Sequence, residues 1–182
     1  MRLPEVPEVP VVPALPVLPR ILHTQTLSAE AFAAFGDVIA AGAHSSTAIN
    51  EGTAQRFDDL TRLDVNQGDG TPCVAIFRTS DKSQPAPYRL TMFERHLLGS
   101  QTFVPMGQGR CLAVLTLGDA SPDEENIQAF IVEPGQGITL RRGVWHHPLI
   151  TLGSADVLVI ERRSAEVDCD IVPIQGKFIV AV

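Results

Sequence analysis

Residues 88–106 read YRLTMFERHLLGSQTFVPM, two strand-like runs (88–96 and 100–106) separated by Leu97, Leu98 and Gly99. Successive side chains of an extended chain point to opposite faces. Leu90, Met92, Glu94 and His96 therefore share one face, and Arg89, Thr91, Phe93 and Arg95 the other. Gly99 and Ser100 break the run, and a strand restarting at Gln101 sets Gln101 and Phe103 on one face, back beside His96. Glu94, His96 and Gln101 thus converge from one hairpin-like unit. So dense a polar group between apolar runs reads as a site.

The same punctuation continues along the chain. Short apolar runs at 73–79, 111–117, 127–133, 137–142, 144–151, 155–162 and 177–182 are bounded by Gly, Pro, Asp or Ser. Long helical periodicity, a Gly-rich phosphate loop and internal repeats are absent, which leaves a parallel nucleotide-binding fold without support. The expected class is all-β, an antiparallel barrel or sandwich with one or two short helices. One of these is read at 27–36, with Ser28 as N-cap, Glu30 in the first turn, Gly36 as terminator, and Phe32 and Phe35 packing it down.

The 182 residues fit one domain able to bury a core. A net charge of −7 argues against nucleic acid and anionic membrane, both of which need clustered cations. Cys73, Cys111 and Cys169 form no C-x-x-C and are odd in number, so reduced cytosolic thiols are expected. No apolar run approaches the roughly 20 residues of a membrane helix. Prolines at positions 4, 7, 10, 13, 16 and 19 exclude a helical signal sequence. Their period of three fits a polyproline II segment, read as an extended leader over 1–22, with a Pro-recognising partner as the alternative. The domain then spans 23–182.

A second polar concentration is Gly143-Val144-Trp145-His146-His147-Pro148. Strand alternation allows only one of the two histidines to look inward, leaving the other for the outer layer or a subunit contact. His23 and His44 receive no role.

Set side by side, the two segments resemble a degenerate cupin. Glu94, His96 and Gln101 hold the spacing of the first cupin motif, H-x-H-x4-E, and Gly143 with His146 that of the second, G-x-x-H. Two of the four ligand types differ, and an amide oxygen at Gln101 is a weaker donor than carboxylate. More specifically, the chain resembles the ureidoglycolate lyases, cupin-type enzymes that release urea and glyoxylate in allantoin breakdown. The resemblance runs from about Phe32 to Cys169. It is carried by Phe35 to Ile39, Ile49-Asn50-Glu51-Gly52 with Arg56, Ile76 to Arg78, Glu94-Arg95-His96 with Gly99 to Pro105, Trp145 to Leu149, and Ile160 with Arg162.

That resemblance implies a cytoplasmic homodimeric enzyme acting on a small molecule, with a divalent ion, nickel by family likeness, on His96, His146 and Glu94. Cleaving ureidoglycolate needs a base for its hydroxyl and an acid for the departing nitrogen, roles open to the same three residues. Its carboxylate calls for an arginine: Arg78 first, on a strand face with Val74 and Ile76, then Arg56 and Arg162. Asn50, Gln101 and Trp145 are the expected readers of the ureido amide. A metal-dependent cupin acting on another small hydroxy acid, and a non-catalytic ligand binder, are the alternatives.

Overall fold

A computed structural model describes residues 18–42, 45–80, 86–174 and 177–182. Most of the proline-rich stretch, 1–17, lies outside the described residues, and so does the expectation placed on it. In chain order the strands are β1 (Arg20–Thr26), β2 (Gly36–Ala40), β3 (Ser46–Ile49), β4 (Ala54–Phe57), β5 (Thr71–Arg78), β6 (Tyr88–Arg89), β7 (Met92–Arg95) and β8 (Gln101–Pro105). They continue as β9 (Cys111–Thr116), β10 (Gln128–Val132), β11 (Gln136–Leu140), β12 (Trp145–His146), β13 (Ile150–Thr151), β14 (Asp156–Arg163), β15 (Asp170–Pro173) and β16 (Phe178–Ala181). One helical turn, α1 (Ala29–Phe32), and a 3-10 turn at Asn50–Gly52 complete the set. The fold is the expected all-β, cupin-like sandwich built on a curled sheet.

Two sheets form the body. The smaller runs β2-β11-β8-β14-β5, and the larger β15-β7-β12-β9-β10-β1-β16-β6, with β13 also on β9. Between them lies a first core of Phe32, Phe35, Phe103, Cys111, Ala113, Leu115, Phe130, Ile138, Val157 and Val159, among others. The larger sheet curls until its two ends meet. β6 is one end of the sheet and β7 lies next to β15 at the other, yet the two are joined through Leu90 and Thr91, whose backbones bond Phe178 and Ile174. Inside this curl is a second core, with Leu90, Phe93, Leu112, Val114, Trp145, Ile174 and Phe178. β9 separates the two cores and is buried on both faces, which is why CLAVLT reads as an unbroken apolar run.

Several expectations are corrected. The sheet begins at Arg20, inside the stretch read as leader, and β1 pairs in parallel with both β10 and β16, so the fold is not wholly antiparallel. The tail beyond Asp170, already placed inside the 23–182 domain, is paired into it through β15 and β16. The helix is one turn long, its Ser28 hydroxyl accepting from the Ala31 amide. Gly36 does not terminate it. That residue lies in β2, where a Cβ would overlap the Thr139 carbonyl of the adjacent strand. Phe32 and Phe35 do anchor the turn, packing edge-on against Phe130 with ring centroids 5.4 and 6.1 Å away. Finally, the crossing at Leu90 and Thr91 breaks the strand, so Leu90 shares a core with Phe93 rather than a face with Glu94.

Candidate functional site

The site is set by parity on two paired strands. Phe93 of β7 and Trp145 of β12 point into the second core, so Glu94 and His146, which face each other across the ladder, point into the first. His96 follows one residue beyond β7 and stays on the same side, its ring centroid 5.3 Å from that of His146. One ligand atom from each of Glu94, His96 and His146 lies within 4.8 Å of the others. This trio could hold a metal ion.

The electrostatics suit that use. His96 donates Nδ1–H to the Asp168 carbonyl, and His146 donates Nδ1–H to the Val144 carbonyl at 3.0 Å. In its neutral form each ring is thereby held in the tautomer that leaves Nε2 as a bare lone pair, whereas a protonated ring turns an N–H toward the Glu94 carboxylate. Both Nε2 atoms are buried without a hydrogen-bond partner. Orphaned imidazole nitrogens fixed from behind by a carbonyl are the usual preparation of a metal ligand. Glu94 Oε1 is 3.5 Å from His146 Nε2, an ion-pair distance too long for a good hydrogen bond, so Nε2 stays unsatisfied. Burial works against the ionised Glu94 carboxylate, but its contact with His146 and the histidines around it outweigh that cost, and its pKa lies below the usual value.

A three-residue segment braces this trio from the C-terminal side. The Asp168 carboxylate accepts from the Leu97 and Leu98 amides at 2.7 and 2.8 Å while its carbonyl takes the His96 proton. The Cys169 thiol reaches Glu94 Oε2 at 3.9 Å, and Asp170 accepts from Arg95 at 2.9 Å. Arg95 also donates to the Asp119 carbonyl and lies 4.3 Å over the Trp145 ring. Asp168, Cys169 and Asp170 thus meet His96, Glu94 and Arg95 one for one.

The remaining expected site residues divide sharply. Gln101 is buried on the first-core face, its Nε2 donating to Glu161 at 2.9 Å and its Oε1 left without a partner. With His96, Glu161, Arg162, Arg163 and Ser164 it lines a cavity of about 210 Å³. Arg162 borders that cavity from the outer face of β14. Its guanidinium is committed to the Gln67 carbonyl, the Ser164 hydroxyl and Asp69, in a slot where a Cβ at Gly70 or Gly99 would collide with it.

Arg78, Arg56, Asn50 and Trp145 are not brought to the trio. Arg78 does share a face with Val74 and Ile76, but it is the solvent face of edge strand β5, where the side chain is 80% exposed and forks onto Asp156. It also lies five residues along β5 from Cys73, the partner of Glu161, a distance of roughly 16 Å. Arg56 pairs with Asp58 on the exposed β3–β4 hairpin, and Asn50 sits at the tip of that hairpin with φ 51. Trp145 fills the second core, its Nε1 donating to the Gly118 carbonyl.

His147 departs from the simple alternation. β12 ends at His146, and the His147 ring turns to accept the Thr91 amide at Nε2 and to donate Nδ1–H to the Pro148 carbonyl. Burial lowers its pKa.

Sequence reading passed over Glu161, Arg163, Asp168 and Cys169. For the first two the signal was present: Val157, Val159, Glu161 and Arg163 have one parity, so an inward apolar stripe ends in two charges. The brace at 168–170 has no local signal, because its partners lie about 75 residues upstream.

A family model described as ureidoglycolate lyase matches residues 19–181. The chain belongs to the ureidoglycolate lyase family. A ureidoglycolate lyase of Burkholderia cepacia is 38% identical over 158 residues, covering 85% of this chain and 87% of the relative. One of Burkholderia mallei (strain NCTC 10229) is 41% identical over 145 residues (79% and 83%), and one of Pseudomonas syringae pv. tomato 39% over 153 residues (83% and 88%). The ureidoglycolate lyase match takes in β1, β15 and β16, all three outside the span on which the sequence resemblance rests.

Proposed function

We propose that this chain cleaves ureidoglycolate to glyoxylate and urea, in allantoin and purine nitrogen breakdown. The carrying observation is the inward cluster of Glu94, His96 and His146 beside a small polar cavity, in a chain of the ureidoglycolate lyase family. The net reaction moves one proton. The hydroxyl O–H is broken, its electrons close the aldehyde carbonyl, and the carbon–nitrogen pair leaves on the urea nitrogen, which needs a proton in return. Glu94, kept ionised, takes the hydroxyl proton and delivers it to the departing nitrogen, serving as base and then acid.

His96 and His146, with Glu94, are the residues that would hold a divalent ion, and their orphaned Nε2 atoms fit one. Such an ion supplies Lewis-acid polarisation of a bound oxygen when present. Two imidazoles and one carboxylate suit nickel, zinc or iron, and nickel is the ion implied by the family resemblance. The enzyme is taken to be cytoplasmic and homodimeric. Three free cysteines and the exposed apolar Val74 and Ile76 on β5 support those two readings.

Purified protein incubated with ureidoglycolate should release urea and glyoxylate without ammonia. Chelation should lower the rate and a divalent ion restore it. Ammonia as the nitrogen product would replace the lyase reading with hydrolysis.

A further inference from the structure

Three atoms in the described residues are buried polar groups with no partner: His96 Nε2, His146 Nε2 and Gln101 Oε1. The first two are explained by the metal-ligand cluster. The third asks for a different occupant. An amide oxygen is a poor metal donor but a good acceptor, and an acceptor left unpaired in the interior calls for an N–H or O–H group from outside the protein. The orientation of this amide is fixed by its own bond, because Nε2 must face the Glu161 carboxylate and Oε1 then faces away from it. Glu161, on the inward face of β14 beside Gln101, brings further acceptor capacity to the same wall of the cavity. That wall thus carries two acceptors, Gln101 Oε1 and the Glu161 carboxylate.

The cavity also has a cation to spare. Arg162 has each of its guanidinium nitrogens engaged, whereas the Arg163 side chain makes no ion pair or hydrogen bond within the described residues. It lines the same cavity on the same strand face as Glu161.

We propose that Gln101, Glu161 and Arg163 read the two ends of the substrate: the ureido N–H groups donate to Gln101 Oε1 and the Glu161 carboxylate, and the substrate carboxylate accepts from Arg163. This rests on the ureidoglycolate lyase reading and extends it by assigning Glu161 and Arg163 as specificity residues. The ureido group is the only part of this substrate with several N–H donors on one planar unit, so a double acceptor selects for it. The carboxylate is its only full charge, and a free guanidinium matches it bidentately.

The test uses the full chain and two probes, oxalurate, which carries both a ureido group and a carboxylate, and glyoxylate, which carries the carboxylate alone. Dissociation constants are measured by calorimetry for the parent, Glu161→Gln and Arg163→Met. Glu161→Gln should weaken oxalurate about tenfold or more while leaving glyoxylate within about twofold, because it removes a charged acceptor from the ureido end only. Arg163→Met should weaken both probes about tenfold. The assignment is overturned if Glu161→Gln weakens both probes equally or neither, or if Arg163→Met leaves both unchanged. Should Glu161→Gln fail to fold, Glu161→Asp, which keeps the charge but draws it back, takes its place with a smaller loss in the same direction. Failure of the parent to release urea from ureidoglycolate would sink the lyase reading separately, since the affinities need no turnover.

Discussion

The two faces of the β7–β12 pair come from alternate residues of the same few positions, yet they are built on opposite rules. On the inner face Glu94, His96 and His146 leave two imidazole nitrogens buried and unpartnered. On the outer face Phe93, Arg95 and Trp145 are fully engaged: Arg95 bonds Asp170 and the Asp119 carbonyl and covers the indole, and the indole N–H reaches Gly118. One face holds unmet polar capacity for a ligand and the other supplies the rigidity that keeps it aimed. Substitutions should therefore separate cleanly, costing activity on the inner face and stability on the outer one.

The largest effect is expected from His146→Ala. It should lower kcat/KM by about 10² or more, the scale of losing a group that acts at the reacting centre, while the melting temperature stays level or rises because an unsatisfied buried nitrogen is removed. A stable variant with near-parental kcat/KM would place the chemistry elsewhere. Arg95→Ala should invert that pattern, destabilising the fold by about 1–3 kcal/mol through the lost carbonyl bond and the stack on Trp145. The exposed Asp170 partner adds little to this figure. Activity at low temperature should fall less than for His146→Ala, and a denaturant titration beside single-temperature kinetics measures both.

A third, smaller effect sits at the edge of the pair. The His147 ring accepts from one amide and donates to one carbonyl, an arrangement open to neutral imidazole alone. Burial accordingly depresses its pKa below the ordinary 6.5. A histidine with a depressed folded-state pKa contributes stability that is present above the unfolded value and is lost as pH falls through the folded one. The melting temperature should hold near pH 7 to 8 and decline once pH drops below about 6.5. His147→Gln should flatten part of that decline, and an unchanged acid limb would remove His147 from it. The smallest effect is expected at Arg78→Lys. This cation lies on the solvent face of β5 with its own carboxylate partner, so kcat/KM should stay within about twofold of the parent. A large loss would return Arg78 to the substrate, against its position in the fold.

Much of this molecule was legible in the chain. Turn residues between short apolar runs marked nine strand segments, and alternation alone set Glu94 and His96 on one side of a strand and allowed only one of His146 and His147 to look inward. Those rules are local: a period of two and a break at glycine or proline need no knowledge of the partner strand. Local rules also failed in recognisable places. Arg78 was placed correctly with Val74 and Ile76, but which face of a strand meets the core depends on the sheet that packs there. Strands β1 and β15 escaped notice because their sequences are mixed and they are stabilised by long-range pairing.

By itself, then, the sequence determined the class of fold, the polar trio and the family likeness, because each is written in spacing along the chain. Only the tertiary structure decided which cations are free, which polar atoms are orphaned, and that Asp168, Cys169 and Asp170 brace a site about 75 residues away. The reason is physical: hydrogen-bond satisfaction is a property of where a group ends up, and segments distant in sequence are neighbours only once the larger sheet has curled round on itself.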